Sequence, residues 1–122
     1  MKLITEPTPT TLQGVFDRAW AWANKPDFKR CSEGTGIALI CKYRSEDNTN
    51  ACLIGCCIPD SEYSKEMESM SVGAFSSYEF EAFEGINEEA LAMLQLCHDN
   101  AFDENNVISK LEIFAATHNL KL

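Results

Sequence analysis

Six cysteines, two histidines and nineteen carboxylates are the side chains in this 122-residue sequence that could support chemistry. The cysteines are Cys31, Cys41, Cys52, Cys56, Cys57 and Cys97. Three readings of them compete. A disulfide framework needs an oxidising compartment, and no secretion signal precedes the first cysteine. A metal site needs about four thiolate or imidazole ligands in close pairs. Cys52 and Cys56 form such a pair, with Cys41 across a hairpin and His98 as a fourth ligand. In an extended strand, residues four apart face the same way but stand about 13 Å from each other. A shared ion would therefore require a turn at Gly55. The third reading is six reduced thiols packed as small apolar groups, the commonest fate of free cysteine.

Thiol catalysis needs at least a Cys/His pair. Cys97 and His98 adjoin in sequence, but helical neighbours point about 100° apart and do not face each other. His98 reads as a packed histidine and His118 as a helix-end cation. No Gly-rich phosphate loop, HExxH or EF-hand spacing occurs. A small thiol- or carboxylate-dependent enzyme remains an alternative with no acid–base pair to name. Neither catalytic residues nor a cofactor can be assigned from the sequence.

The carboxylates carry more information through their distribution. Ten Lys and Arg oppose nineteen Asp and Glu, for a net charge of −9 and a pI near 4.6. Residues 1–45 hold seven basic and four acidic side chains, a net +3. Residues 46–122 hold three basic and fifteen acidic ones, a net −12. An acidic surface made for a basic partner is one reading, with Glu79, Glu81, Glu84, Glu88, Glu89, Asp103 and Glu104 as its candidate residues. Plain solubility is the other. The charge argues against direct nucleic-acid binding, which wants excess Lys and Arg. No apolar run reaches the roughly 20 residues that span a bilayer. The N-terminus lacks a signal-peptide core, so a cytoplasmic protein is expected.

The elements that position these groups can be read from spacing. One domain over 1–122 is expected, with residues 1–9 as an extended lead-in. Thr10 and Gln13 read as a capping box. Leu12, Val15, Phe16, Ala19 and Ala23 then recur at helical spacing until Asn24-Lys25-Pro26. Residues 37–43 and 51–58 are apolar β-type runs around a turn-rich 44–50, which predicts an antiparallel hairpin. Asp60 or Ser61 would cap a helix bearing Tyr63, Met67 and Met70. Residues 71–86 fit either a helix or a strand, and helix is the preferred reading. Asn87 caps a clearer helix with Glu88 and Glu89 in its first turn and Leu91, Leu94 and His98 on one face. A last helix is predicted over 107–118. The expected fold class is α+β, a short hairpin or small sheet covered by four to five helices.

The segments Cys41-Lys42-Tyr43-Arg44, Cys52-Leu53-Ile54-Gly55-Cys56-Cys57-Ile58-Pro59-Asp60-Ser61-Glu62-Tyr63 and Met67-Glu68 form a pattern. It resembles that of small phage and prophage proteins, and Leu94-Gln95-Leu96-Cys97-His98-Asp99 has a counterpart there. The resemblance spans about residues 41–99 and implies no activity. It implies a mobile-element protein in the bacterial cytoplasm. Such a protein would bind and inhibit a host protein, such as a defence or nucleic-acid-handling factor, through its acidic face. A zinc-stabilised interaction module using the hairpin cysteines is the structural alternative.

Overall fold

The structure, a computed structural model, describes residues 4, 6–33, 40–47, 49–70, 72, 83–101 and 103–122. Three α-helices dominate them: α1, Leu12–Ala23; α2, Glu88–Asp99; and α3, Glu104–Thr117. Each starts on a side-chain cap. Thr11 accepts from the Gly14 amide, Asn87 from Ala90 and Asp103 from Asn106. The first cap is thus Thr11, one residue beyond the expected Thr10. The last helix begins three residues earlier than expected, because Asp103 caps it.

The expected α+β architecture is overturned. Among the described residues, strand is limited to β1, Ser32–Glu33, and β2, Ile40–Cys41, paired antiparallel. Among the described residues of the predicted hairpin between 37–43 and 51–58, a single bridge survives, Arg44 to Ala51. The physical reason lies on both sides of the bridge. The amides of Tyr43 and Arg44 both donate to the Glu68 carboxylate, each at 2.9 Å. Successive amides of an extended strand point to opposite edges, so a chain whose neighbouring amides reach one carboxylate has left the strand. The second run coils instead of extending. Cys56 N donates to Cys52 O, Cys57 N to Ile54 O and Ile58 N to Gly55 O, which makes Gly55–Cys57 a 3-10 turn. Those internal bonds, with the Cys52 amide donating to Tyr43 O, the Trp22 indole to Ala51 O and Arg44 to Ile58 O, let residues 51–59 be buried with a single bridge in place of a strand pairing.

Two further expectations change. Asp60 caps no helix; Ser64 caps a short 3-10 helix, Lys65–Ser69, instead. The preferred helix over 71–86 falls mostly on residues outside those described. At its described end, Phe83 (φ 67°) and Gly85 (φ 83°) take left-handed conformations that no α-helix continues through.

The core gathers the inner faces of these elements. α1 packs against α2, α3 and the Gly55–Cys57 turn, and α2 packs against α3. Val15, Phe16 and Ala19 of α1, Leu91 and Leu94 of α2, and Val107 and Leu111 of α3 are all buried. Phe16 stacks on Phe114 with ring centroids 6.0 Å apart. The apolar stripes read from spacing are therefore the packed faces, and that packing sets which faces of α2 and α3 look outward.

Candidate functional site

Among the described residues, the acidic positions fall into two groups. Glu84, Glu88 and Glu89 are exposed at the start of α2, where the helix dipole favours negative charge. Asp103 and Glu104 follow the other end of α2, about 18 Å away along a 12-residue helix. Asp103 is occupied as the cap of α3, and Glu104 accepts from the Arg30 amide. The structure does not bring these two groups together. Glu79 and Glu81 lie outside the described residues.

Residues of the 41–44, 52–63, 67–68 and 94–99 segments meet in two polar networks. The Arg44 guanidinium, 4% exposed at its side chain, pairs with Asp60 at 2.7 Å and donates to Ile58 O at 2.9 Å. It also sits 4.6 Å above the Tyr63 ring. The Tyr63 hydroxyl donates to Glu68 at 2.6 Å. Glu68 thus accepts from two backbone amides and a phenol. The Tyr43 hydroxyl donates to Met70 O. Burial, the larger cause, and the neighbouring Glu68 push the Tyr63 phenol well above its ordinary range.

The second network centres on His98, which is fully buried. Its Nε2 accepts from the Cys31 amide at 2.8 Å, and its Nδ1 lies 2.9 Å from Asp99. Gln95 donates to the same Asp99 oxygen and accepts from the Cys52 thiol. Both histidine nitrogens are therefore engaged, as expected of a packed histidine.

This arrangement bears on the cysteines. Cys52 points at Gln95, and Cys56 donates to Leu53 O. His98 faces the Cys31 amide and Asp99. Three of the four proposed zinc ligands are thus aimed at different partners, and the Cys41 side chain is outside the description. Among the described residues, no three Cys, His, Asp or Glu side chains converge as a metal set would. Nor are Cys52, Cys56 and Cys97 prepared as nucleophiles. Burial pushes the Cys52 and Cys56 thiols far above their ordinary range and Cys97 up to about 11. The thiolate is the reactive form, so these groups are core packing. At pH 8 in native protein, Cys52, Cys56 and Cys97 should react with iodoacetamide at least about 100-fold more slowly than free cysteine. All three should react readily in denaturant. Site-resolved mass spectrometry checks this, and rapid native labelling of Cys52 or Cys56 would contradict it.

The outer face of α2 is where geometry and chemistry meet. A groove of about 230 Å³ runs between α2 and α3, lined by Met93, Leu96, Cys97, Ile113, Phe114 and Lys110 among others. Among the described residues, four large apolar side chains are exposed, and three of them line this groove. They are Met93 at 46%, Leu96 at 48% and Ile113 at 66%. On the other side of Leu96 lies a cleft of about 330 Å³ whose lining includes Tyr43, Glu68, Met70, Gln95 and Asp99. Leu96 is thus a shared wall between an apolar groove and a cleft carrying two carboxylates. The sequence signal for this face was three apolar residues set off the buried stripes of their helices. Spacing alone registers those as neighbours of the core.

No family model, curated protein or solved structure matches this chain. No helix among the described residues is long and apolar enough to cross a membrane.

Proposed function

We propose that this chain is a non-enzymatic binding protein whose α2–α3 face docks a basic, amphipathic helix of a partner protein. The observation that carries the reading is the gathering of Met93, Leu96 and Ile113 on one groove. Apolar groups exposed together mark interaction surfaces far more often than apolar groups scattered singly. The choice of occupant rests on charge. Glu88 and Glu89 are exposed at the start of α2 and Glu112 on α3, the two helices that form the groove, and Glu68 and Asp99 line the cleft beyond Leu96. Lys110 is the one described cation in the groove lining. A helix that lays an apolar stripe into the groove would bring its flanking Lys or Arg against these carboxylates. This moves the acidic contribution away from Asp103 and Glu104, which serve the start of α3. Under the phage-like resemblance, the partner would be a host protein whose basic surface the chain blocks, a defence or nucleic-acid-handling factor.

An amphipathic Leu/Lys helical peptide of about 14 residues is the direct probe, with its Leu/Glu isomer as the control. At low salt the Leu/Lys peptide should bind with a Kd of about 100 μM or tighter, perturbing the methyl signals of Met93, Leu96 and Ile113. Leu96→Ser together with Ile113→Ser should weaken it about tenfold. Glu88→Lys with Glu89→Lys should weaken it several-fold and flatten its salt dependence. Equal binding of the Leu/Glu isomer, or affinity unmoved by Leu96→Ser with Ile113→Ser, would refute the reading.

A further inference from the structure

The basic first third of the chain has a cleft of its own. It measures about 470 Å³ and lies where the turn after α1 meets residues 49–50. Trp22, Lys25, Asp27, Phe28 and Lys29 line it, with Thr49 and Asn50 across from them. None of these residues takes part in the α2–α3 face.

The walls are held by backbone and side-chain bonds of their own. The Trp22 indole Nε1 donates to Ala51 O at 2.9 Å, which fixes the ring. The Phe28 amide donates to Lys25 O at 3.0 Å, closing the turn. The Asn50 side-chain amide donates to Lys29 O at 3.0 Å and joins the two sides. The Lys25 ammonium lies 3.9 Å from the centre of the Trp22 ring, so a cation and an aromatic ring are held at one place. Lys25 and Lys29 are both exposed, and among the described residues neither forms an ion pair.

This combination selects a ligand class. Two spare cations suit an anion, and a phosphate more than a single carboxylate. Two half-buried aromatic rings suit a flat heterocycle, because stacking on such rings accepts any base. The remaining lining charge, Asp27, would repel a bare anion but can accept hydrogen bonds from vicinal hydroxyls, as acidic residues do at ribose in dinucleotide sites. The volume falls within the range of ordinary small-molecule sites. We propose that this cleft binds a mononucleotide, with the base against Trp22 and Phe28, the phosphate on Lys25 and Lys29, and the ribose hydroxyls on Asp27. A net charge of −9 opposes binding of a long polyanion but not of one nucleotide at a locally basic cleft.

The test uses the full chain carrying Trp20→Phe, which leaves Trp22 as the sole tryptophan reporter. AMP, UMP, adenosine and inorganic phosphate are titrated separately at low salt. The mononucleotides should quench Trp22 saturably with a Kd between about 10 and 500 μM. Adenosine and phosphate should each bind at least about tenfold more weakly. Lys29→Gln and Lys25→Ala should each weaken nucleotide binding about tenfold, with an unchanged circular dichroism spectrum and melting temperature. Asp27→Ala should abolish the preference for AMP over its 2′,3′-dideoxy analogue. The assignment is overturned by any of three results: no saturable quenching up to about 10 mM nucleotide; equal affinity for phosphate alone, which marks a simple anion site; or oligonucleotide binding without mononucleotide binding.

Discussion

Asp60→Ala is expected to cost about 3 to 5 kcal/mol of folding free energy, a drop of roughly 10 °C or more in Tm for a chain of this length. The magnitude comes from what is left behind. Arg44 is almost wholly enclosed, and Asp60 is its carboxylate partner at 2.7 Å. Removing that partner strands a guanidinium in the interior, with Ile58 O and the Tyr63 ring as its remaining contacts. Asp60 also accepts from the Ile4 amide, so the lead-in loses an anchor. The double variant Arg44→Met, Asp60→Leu should be less destabilised than Asp60→Ala alone, because it removes the charge along with the partner. Urea unfolding followed by circular dichroism measures both. A loss below about 1 kcal/mol for Asp60→Ala would show that the pair is not the keystone of this network.

The second large effect comes from adding a single methyl group. A Cβ at Gly55 would stand 1.9 Å from the carbonyl oxygen of Tyr43 and 2.7 Å from its carbonyl carbon. Both are backbone atoms, so no rotamer change relieves the clash. The same carbonyl accepts from the Cys52 amide at 3.1 Å, the bond that holds the buried turn to the bridge. Gly55→Ala should therefore cost about 3 kcal/mol or more, or leave no folded protein to purify. Gly85→Ala is the matched control. Gly85 has φ +83° but nothing within 4 Å of its would-be Cβ, so only the backbone conformation is penalised, at about 1 kcal/mol. Thermal melts of the two variants separate close approach from conformation. Near-equal losses would refute the close-approach account.

What the sequence disclosed follows from which forces act locally. Asn87 with Glu88 and Glu89 announced α2, because capping and the dipole are properties of one turn. The stripe through Val15, Phe16 and Ala19 announced α1 for the same reason. The fold class failed where the decisive contacts are distant. Residues 51–58 are apolar on both faces, and a buried strand and a buried coil share that signature. The choice between them is made by Tyr43 O pressing on Gly55 and by Glu68 taking the amides of residues 43 and 44, up to 25 positions away. The candidate face was hidden for a related reason. Met93, Leu96 and Ile113 look like ordinary members of apolar helices until packing fixes which side of each helix is outward. The acidic cluster was visible as a count, but its division between the two ends of α2 depends on where that helix stops.

The Glu68 carboxylate also bears on how this chain behaves in company. Had the segment after β2 continued as a strand, its unpaired amides would have offered a template on which a second molecule could add a strand. The carboxylate occupies the amides of Tyr43 and Arg44 and bends the chain away from the extended form. The same residue that holds the interior network together thus removes a starting point for edge-to-edge aggregation, beside one of the most apolar stretches of the sequence.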